Sequence, residues 1–141
     1  MKLILAKMFF QFFGWKIDQQ YPEKTKKCVI IMAPHTSNWD FVMGRLGFNI
    51  YKLDVKFLIK KDLFVGPIGW FLKRMGGLPV DRSQKNNLTD TIAKMYEGKD
   101  QLTIMFTPEG TRSYNPEWKK GFYYIAEKAN VPIILGYLDY K

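Results

Sequence analysis

Cys28-Val29-Ile30-Ile31-Met32-Ala33 is an unbroken run of apolar and small residues, and Pro34-His35-Thr36-Ser37-Asn38-Trp39-Asp40 follows it at once. The run is the length of a strand and carries no charge, so it reads as a buried strand. Past the polar loop the pattern changes. Trp39, Val42, Met43, Leu46, Ile50 and Leu53 recur at intervals of three and four, the period of a helix. One strand, one polar loop and one helix therefore occupy residues 28–53.

The alternation continues outward. Val55–Ile59 has strand character, and Asp62–Met75 is apolar but broken by Gly66-Pro67, which predicts a turn and a short helix. Leu78–Val80 is a short strand. Leu88, Ile92, Met95 and Tyr96 mark a helix that Gly98 would end. Leu102–Phe106 is a strand, Trp118, Phe122, Ile125, Ala126 and Ala129 mark another helix, and Val131–Leu135 is the last strand. Strand and helix in alternation predict an α/β fold: a single domain with a central, largely parallel (mixed) sheet flanked by helices. A chain of 141 residues suits one such domain, here residues 17–141 after an N-terminal helix over residues 1–16.

In sheets of this kind the working residues gather in loops at the carboxyl ends of the strands. Three chemically loaded loops fall at such ends. The first holds His35, the only histidine of the chain, with Asp40 five residues on. Imidazole is the side chain that ordinarily exchanges protons near neutral pH, and a carboxylate holding one ring nitrogen leaves the other free for a hydroxyl proton. Ser37-x-x-Asp40 also matches a capping box at the helix start, and His35 alone is compatible with a plain surface loop. The second loop, Gly76 to Ser83, places Arg82 just past a strand, where its planar fork suits a phosphate or an ion pair with Asp81. The third, Phe106-Thr107-Pro108-Glu109-Gly110-Thr111-Arg112-Ser113, surrounds a glycine with donors, as an anion cradle or a polar turn would. No Gly-x-Ser-x-Gly elbow and no Gly-Lys-Ser/Thr phosphate loop occurs, which argues against an α/β-hydrolase and against a P-loop enzyme.

Together these loops resemble the glycerolipid acyltransferase family, whose best-known members make phosphatidate from lysophosphatidate. His35 and Asp40 match its His-x4-Asp block, and Gly77 through Arg82 match Gly-x-x-x-x-Asp-Arg. Phe106 and Pro108–Ser113 match Phe-Pro-Glu-Gly-Thr-Arg-Ser with Thr107 inserted, and Val131-Pro132-Ile133-Ile134 matches the last apolar block. The blocks stand in family order across residues 35–134. Pro34 and Leu135 depart from residues common in relatives, which bears on the acceptor more than on the chemistry. The resemblance implies that His35 is the general base on the acceptor hydroxyl and that Asp40 orients it. It implies a substrate-binding set of Arg82, Glu109, Gly110, Thr111 and Arg112 for a phosphate-bearing lysolipid acceptor. It implies acyl-CoA or acyl carrier protein as co-substrate, with no cofactor and no metal.

Charge and composition fit a surface enzyme. Six Lys against two acids in residues 1–27, and eight Lys or Arg against three Asp in residues 52–85, account for the whole net charge of +9. Such a directed basic surface suits anionic lipid, a phosphorylated substrate or nucleic acid. A nucleic-acid partner is not expected, because no helix-turn-helix, zinc-finger or RNA-recognition signature accompanies the charge. A lipid-binding module without turnover is the other alternative, and the intact His35 and Asp40 speak against it. Cys28, the one cysteine, reads as a buried small hydrophobe. Residues 1–16 alternate Phe, Leu and Trp with Lys2, Lys7 and Lys16, and the apolar stretch is too short to span a bilayer. They predict an amphipathic helix in the membrane interface, or alternatively a helix docked on the protein's own core. The expected location is the cytoplasmic side of a membrane, peripheral or monotopic.

Overall fold

The computed structural model describes residues 2–17, 25–81, 87–113 and 115–140. In chain order the elements are α1 (Lys2–Phe12), β1 (Lys27–Met32), α2 (Asn38–Ile50), β2 (Val55–Lys60), a 3-10 turn (Lys61–Leu63), α3 (Gly66–Arg74), β3 (Gly77–Val80), α4 (Leu88–Lys94), β4 (Leu102–Phe106), α5 (Gly121–Ala129) and β5 (Ile133–Gly136). Among the described residues the five strands form one sheet in the order β3-β2-β4-β1-β5. Every pairing in it is parallel, so the expected mixed sheet is a wholly parallel one here.

Parallel strands bury both faces, and the strand residues show it. Val29 and Ile31 face one cluster with Ile104, Ile92 and Tyr96 of the α4 side, and Ile125 and Ala126 of α5. Cys28 and Ile30 face the other with Val55, Phe57 and Phe48 of α2. Cys28 has no solvent exposure, as its apolar setting predicts. Two crossovers run from β1 to β2 and on to β3, and two run the opposite way, from β3 to β4 and from β4 to β5. Right-handed crossovers then place α2 and α3 on one face and α4 and α5 on the other.

The helix ends differ from the periodicity, for backbone reasons. The helix expected to reach Leu53 stops at Ile50: Lys52 turns left-handed (φ 59°) and the Leu53 N–H closes on the Phe48 carbonyl at 2.8 Å. Asn130 does the same after α5 (φ 50°), and the Val131 N–H closes on Ala126 O at 3.0 Å. Val131 thus belongs to a helix stop and β5 begins at Ile133. Trp118 lies before α5, not in it, and is exposed. Met95 and Tyr96 fall in the turn after α4, ahead of Gly98 (φ 63°).

The N-terminal helix docks on the core by one side and leaves apolar residues exposed on the other. Ala6 and Phe10, one turn apart, are buried, and Phe10 reaches the surface of Gly47 in α2. Ile4, Leu5, Met8, Phe12 and Phe13 are exposed. No helix among the described residues is long and apolar enough to cross a membrane.

Candidate active site

β1 and β4 lie side by side, and their carboxyl ends feed helices on opposite faces of the sheet, α2 and α5. That divergence marks the strand ends as the place where open parallel sheets bind ligands. The first and third loops border it.

The first loop is organised around one carboxylate. Ser37 caps α2 by accepting from the Trp39 N–H at 3.1 Å, and Asp40 completes the capping box by accepting from the Ser37 N–H at 2.9 Å. The same Asp40 oxygen, Oδ2, accepts from the Thr36 N–H at 2.6 Å and lies 3.1 Å from His35 Nδ1. Cap and imidazole partner, the two readings of Asp40, are therefore one oxygen. Oδ1 takes the Ser37 hydroxyl at 3.3 Å and the Tyr140 hydroxyl at 2.6 Å. Burial works to raise the Asp40 pKa. The hydrogen bonds from Tyr140, Ser37, Thr36 and His35 outweigh it and bring the carboxyl from 3.8 down to about 2. An ionised carboxylate can only accept, so Nδ1 carries the proton and Nε2 presents a lone pair. The His35 side chain is 22% exposed, enough for a ligand atom to reach it.

The third loop reaches the first through Glu109. Its carboxylate accepts from the His35 backbone N–H at 2.7 Å, and the residue is 9% exposed. Of the expected substrate-binding set, Glu109 thus faces inward, onto the histidine's own backbone. Gly110 closes a turn on the Thr107 carbonyl with φ 67°, a conformation that favours glycine. The space a Cβ would take there is filled by the Lys119 ammonium, 2.6 Å from the ideal Cβ position. Gly110, Thr111 and Arg112 are exposed. Arg82 lies outside the described residues; its neighbour Asp81 pairs with Lys61 at the end of β2.

Two residues that spacing did not single out complete the site. Tyr140 approaches Asp40 from 100 positions away, and burial together with its hydrogen bond to that carboxylate pushes its phenol up to about 12. Lys119 adds a cation beside Gly110. Nothing local in the sequence marked Lys119 or Tyr140. Among the described residues no group of three or more His, Cys, Asp or Glu side chains could hold a metal ion. Two surface grooves lie away from this site. One of about 400 Å³ is lined by Lys27, Asp90 and Lys128, another of about 740 Å³ by Lys7, Lys26 and Asp54. Lys27 and Lys26 stand at the amino end of β1, opposite the dyad.

A family model described as Acyltransferase matches residues 16–135, most of the chain and every site residue described above except Tyr140. The chain belongs to the glycerolipid acyltransferase family. It is 35% identical over 77% of its length to a 1-acyl-sn-glycerol-3-phosphate acyltransferase of Saccharomyces cerevisiae, of which it covers 38%. It is 37% identical over 56% of its length to a chloroplastic protein of that name from Brassica napus, covering 24% of it. To the human 1-acyl-sn-glycerol-3-phosphate acyltransferase beta it is 26% identical over 92% of its length, covering 48%. This acyltransferase chain therefore spans between about a quarter and about half of these relatives. No solved structure gives a significant match.

Proposed function

We propose that the protein transfers a fatty acyl group from an acyl thioester, on coenzyme A or acyl carrier protein, to the free hydroxyl of a lysolipid such as lysophosphatidate. The observation that carries this reading is the His35–Asp40 contact through Nδ1, on an imidazole that is partly exposed. The acceptor hydroxyl gives its proton to Nε2 while its oxygen attacks the thioester carbonyl. The carbon–oxygen ester bond forms and the carbon–sulfur bond breaks. The leaving sulfur takes the proton back from Nε2, so no covalent acyl-enzyme is needed. Asp40 steadies the imidazolium that exists between the two transfers. Thr111 and Arg112, with Arg82 of the second loop, supply donors for the acceptor's phosphate. The relatives' names, which specify an acylglycerol phosphate, support that acceptor.

The acceptor's location calls for contact with a bilayer, on its cytoplasmic side. The exposed apolar residues of α1 suit that contact, with Lys7 and Lys16 beside them. The experiment is a panel of lysolipids incubated with acyl-CoA or acyl carrier protein, the extracts being read by mass spectrometry. A mass gain of one acyl chain on one lysolipid is expected. His35→Ala should lower turnover roughly 10²-fold or more with an unchanged circular dichroism spectrum. Near-wild-type turnover in that variant would remove the mechanism.

A further inference from the structure

α3 is held to the protein by its smallest residue. Gly69 is the buried position of the helix, and a Cβ there would come within 2.5 Å of the Phe64 carbonyl carbon. The large side chains are left outside. Leu63, Val65, Ile68, Trp70 and Phe71 are between 53% and 69% exposed, five apolar side chains within nine consecutive positions. Single exposed hydrophobes are ordinary, but five gathered over one short helix and the turn that leads into it mark a contact surface. α1 differs in kind, since Ala6 and Phe10 dock it onto the core.

The charge around the row selects the contact. Residues 60–74 carry Lys60, Lys61, Lys73 and Arg74 against Asp62. Lys60 pairs with Asp62 and Lys61 with Asp81, which leaves the last turn of α3 as the basic end. There the Arg74 guanidinium lies 5.5 Å over the Trp70 ring, holding a cation against an aromatic face. Apolar and aromatic side chains with Lys and Arg at their margin are the composition of a helix seated among lipid headgroups. An acidic carrier protein would answer the charges, but not the row from Leu63 to Phe71. The helix starts just after the carboxyl end of β2, the same end of the sheet as His35, and crossover handedness sets it on the face that α1 and α2 occupy.

We propose that α3 is a second membrane-docking element, seating Leu63, Val65, Ile68, Trp70 and Phe71 in an anionic lipid surface beside the active-site end of the sheet. This extends the lysolipid reading and rests on it for the purpose of the contact, but the contact itself is measured without turnover. Failure of the chain to acylate any lysolipid would overturn that reading and leave this one standing.

The test uses the full chain and vesicles of phosphatidylcholine with and without phosphatidylglycerol. Ile68→Cys provides a site for an environment-sensitive dye, and Cys28, with no solvent exposure, does not compete for the label. The dye emission should shift to the blue on vesicles containing phosphatidylglycerol. Ile68→Glu combined with Phe71→Glu should lower the vesicle partition coefficient roughly tenfold or more. Both sites are exposed, so circular dichroism and Tm should hold. Lys73→Gln combined with Arg74→Gln should lower partition roughly tenfold on the anionic vesicles alone. A dye that stays in water while the protein is vesicle-bound overturns the proposal, as does unchanged partition of the Glu variant. Equal binding to the neutral vesicles removes the anionic preference and overturns it in that form. If partition holds but the KM for acyl carrier protein rises in either variant, the surface docks the carrier instead.

Discussion

The loops after β1 and β4 meet at the carboxyl end of the sheet and are built on opposite plans. The loop after β1 converges: the Thr36 and Ser37 backbones, the His35 ring and the hydroxyls of Ser37 and Tyr140 all end on Asp40. The loop after β4 diverges. Pro108 and Glu109 turn inward, while Gly110, Thr111, Arg112 and Ser113 face solvent. A proton transfer tolerates little displacement of the base, so its support must be over-determined. A headgroup that arrives with a flexible lipid is better met by side chains that reach. On the proposed function the contrast separates chemistry from capture, and the two loops should then fail in different ways.

Asp40→Asn should have the largest effect. It removes the charge that fixes the imidazole, so turnover should drop roughly 10²-fold or more. It also weakens the α2 cap, lowering stability by about 1 kcal/mol. A thermal melt beside a turnover assay separates the two. Activity retained with a lowered Tm would reduce Asp40 to a cap and dissolve the contrast.

Arg112→Ala should come next. An exposed guanidinium lost from a phosphate contact should raise the acceptor KM roughly tenfold and leave kcat, the donor KM and Tm unchanged. Equal rises in both KM values would show that the divergent loop does not choose the acceptor.

Tyr140→Phe should have the smallest effect, a fall in kcat of roughly two- to fivefold, since one of several donors to Asp40 is lost. Its signature lies in pH. The folded carboxyl sits at about 2 against 3.8, so its ionised form contributes stability above about 3.8 and loses it as pH falls through about 2. Without the Tyr140 hydrogen bond the folded value moves up. The Tm gap between wild type and variant should therefore be widest above pH 4 and close toward pH 2. A gap constant with pH would show that the Tyr140 hydroxyl does not act through the ionised Asp40.

What the sequence disclosed depends on distance along the chain. Cys28–Ala33 and Leu102–Phe106 were legible as strands because burial on both faces leaves no charged residue in them. His35 and Asp40 were legible because the loop that joins them is five residues long. The stops at Lys52 and Asn130 were not, since both residues take a left-handed backbone that neither type requires. The strand order was hidden, because alternation of elements is the same for any order of parallel strands. Tyr140 was hidden for the same reason at the scale of one side chain: 100 residues separate it from Asp40, and only the assembled sheet brings them together.

The sheet order also dictates a timetable for the growing chain. β1, an interior strand of the sheet, has no partner among its near neighbours in sequence: Val29 pairs with Ile104 on one side and Ile133 on the other. β2 and β3 can pair as soon as both exist, but the first strand must wait, apolar on both sides, while some seventy further residues are made. Loop closure over such spans is slow, and an unpaired apolar strand invites aggregation meanwhile. Ribosome-bound chains cut short before Leu102 should therefore hold β1 open to protease, and chains extended past Gly136 should hide it.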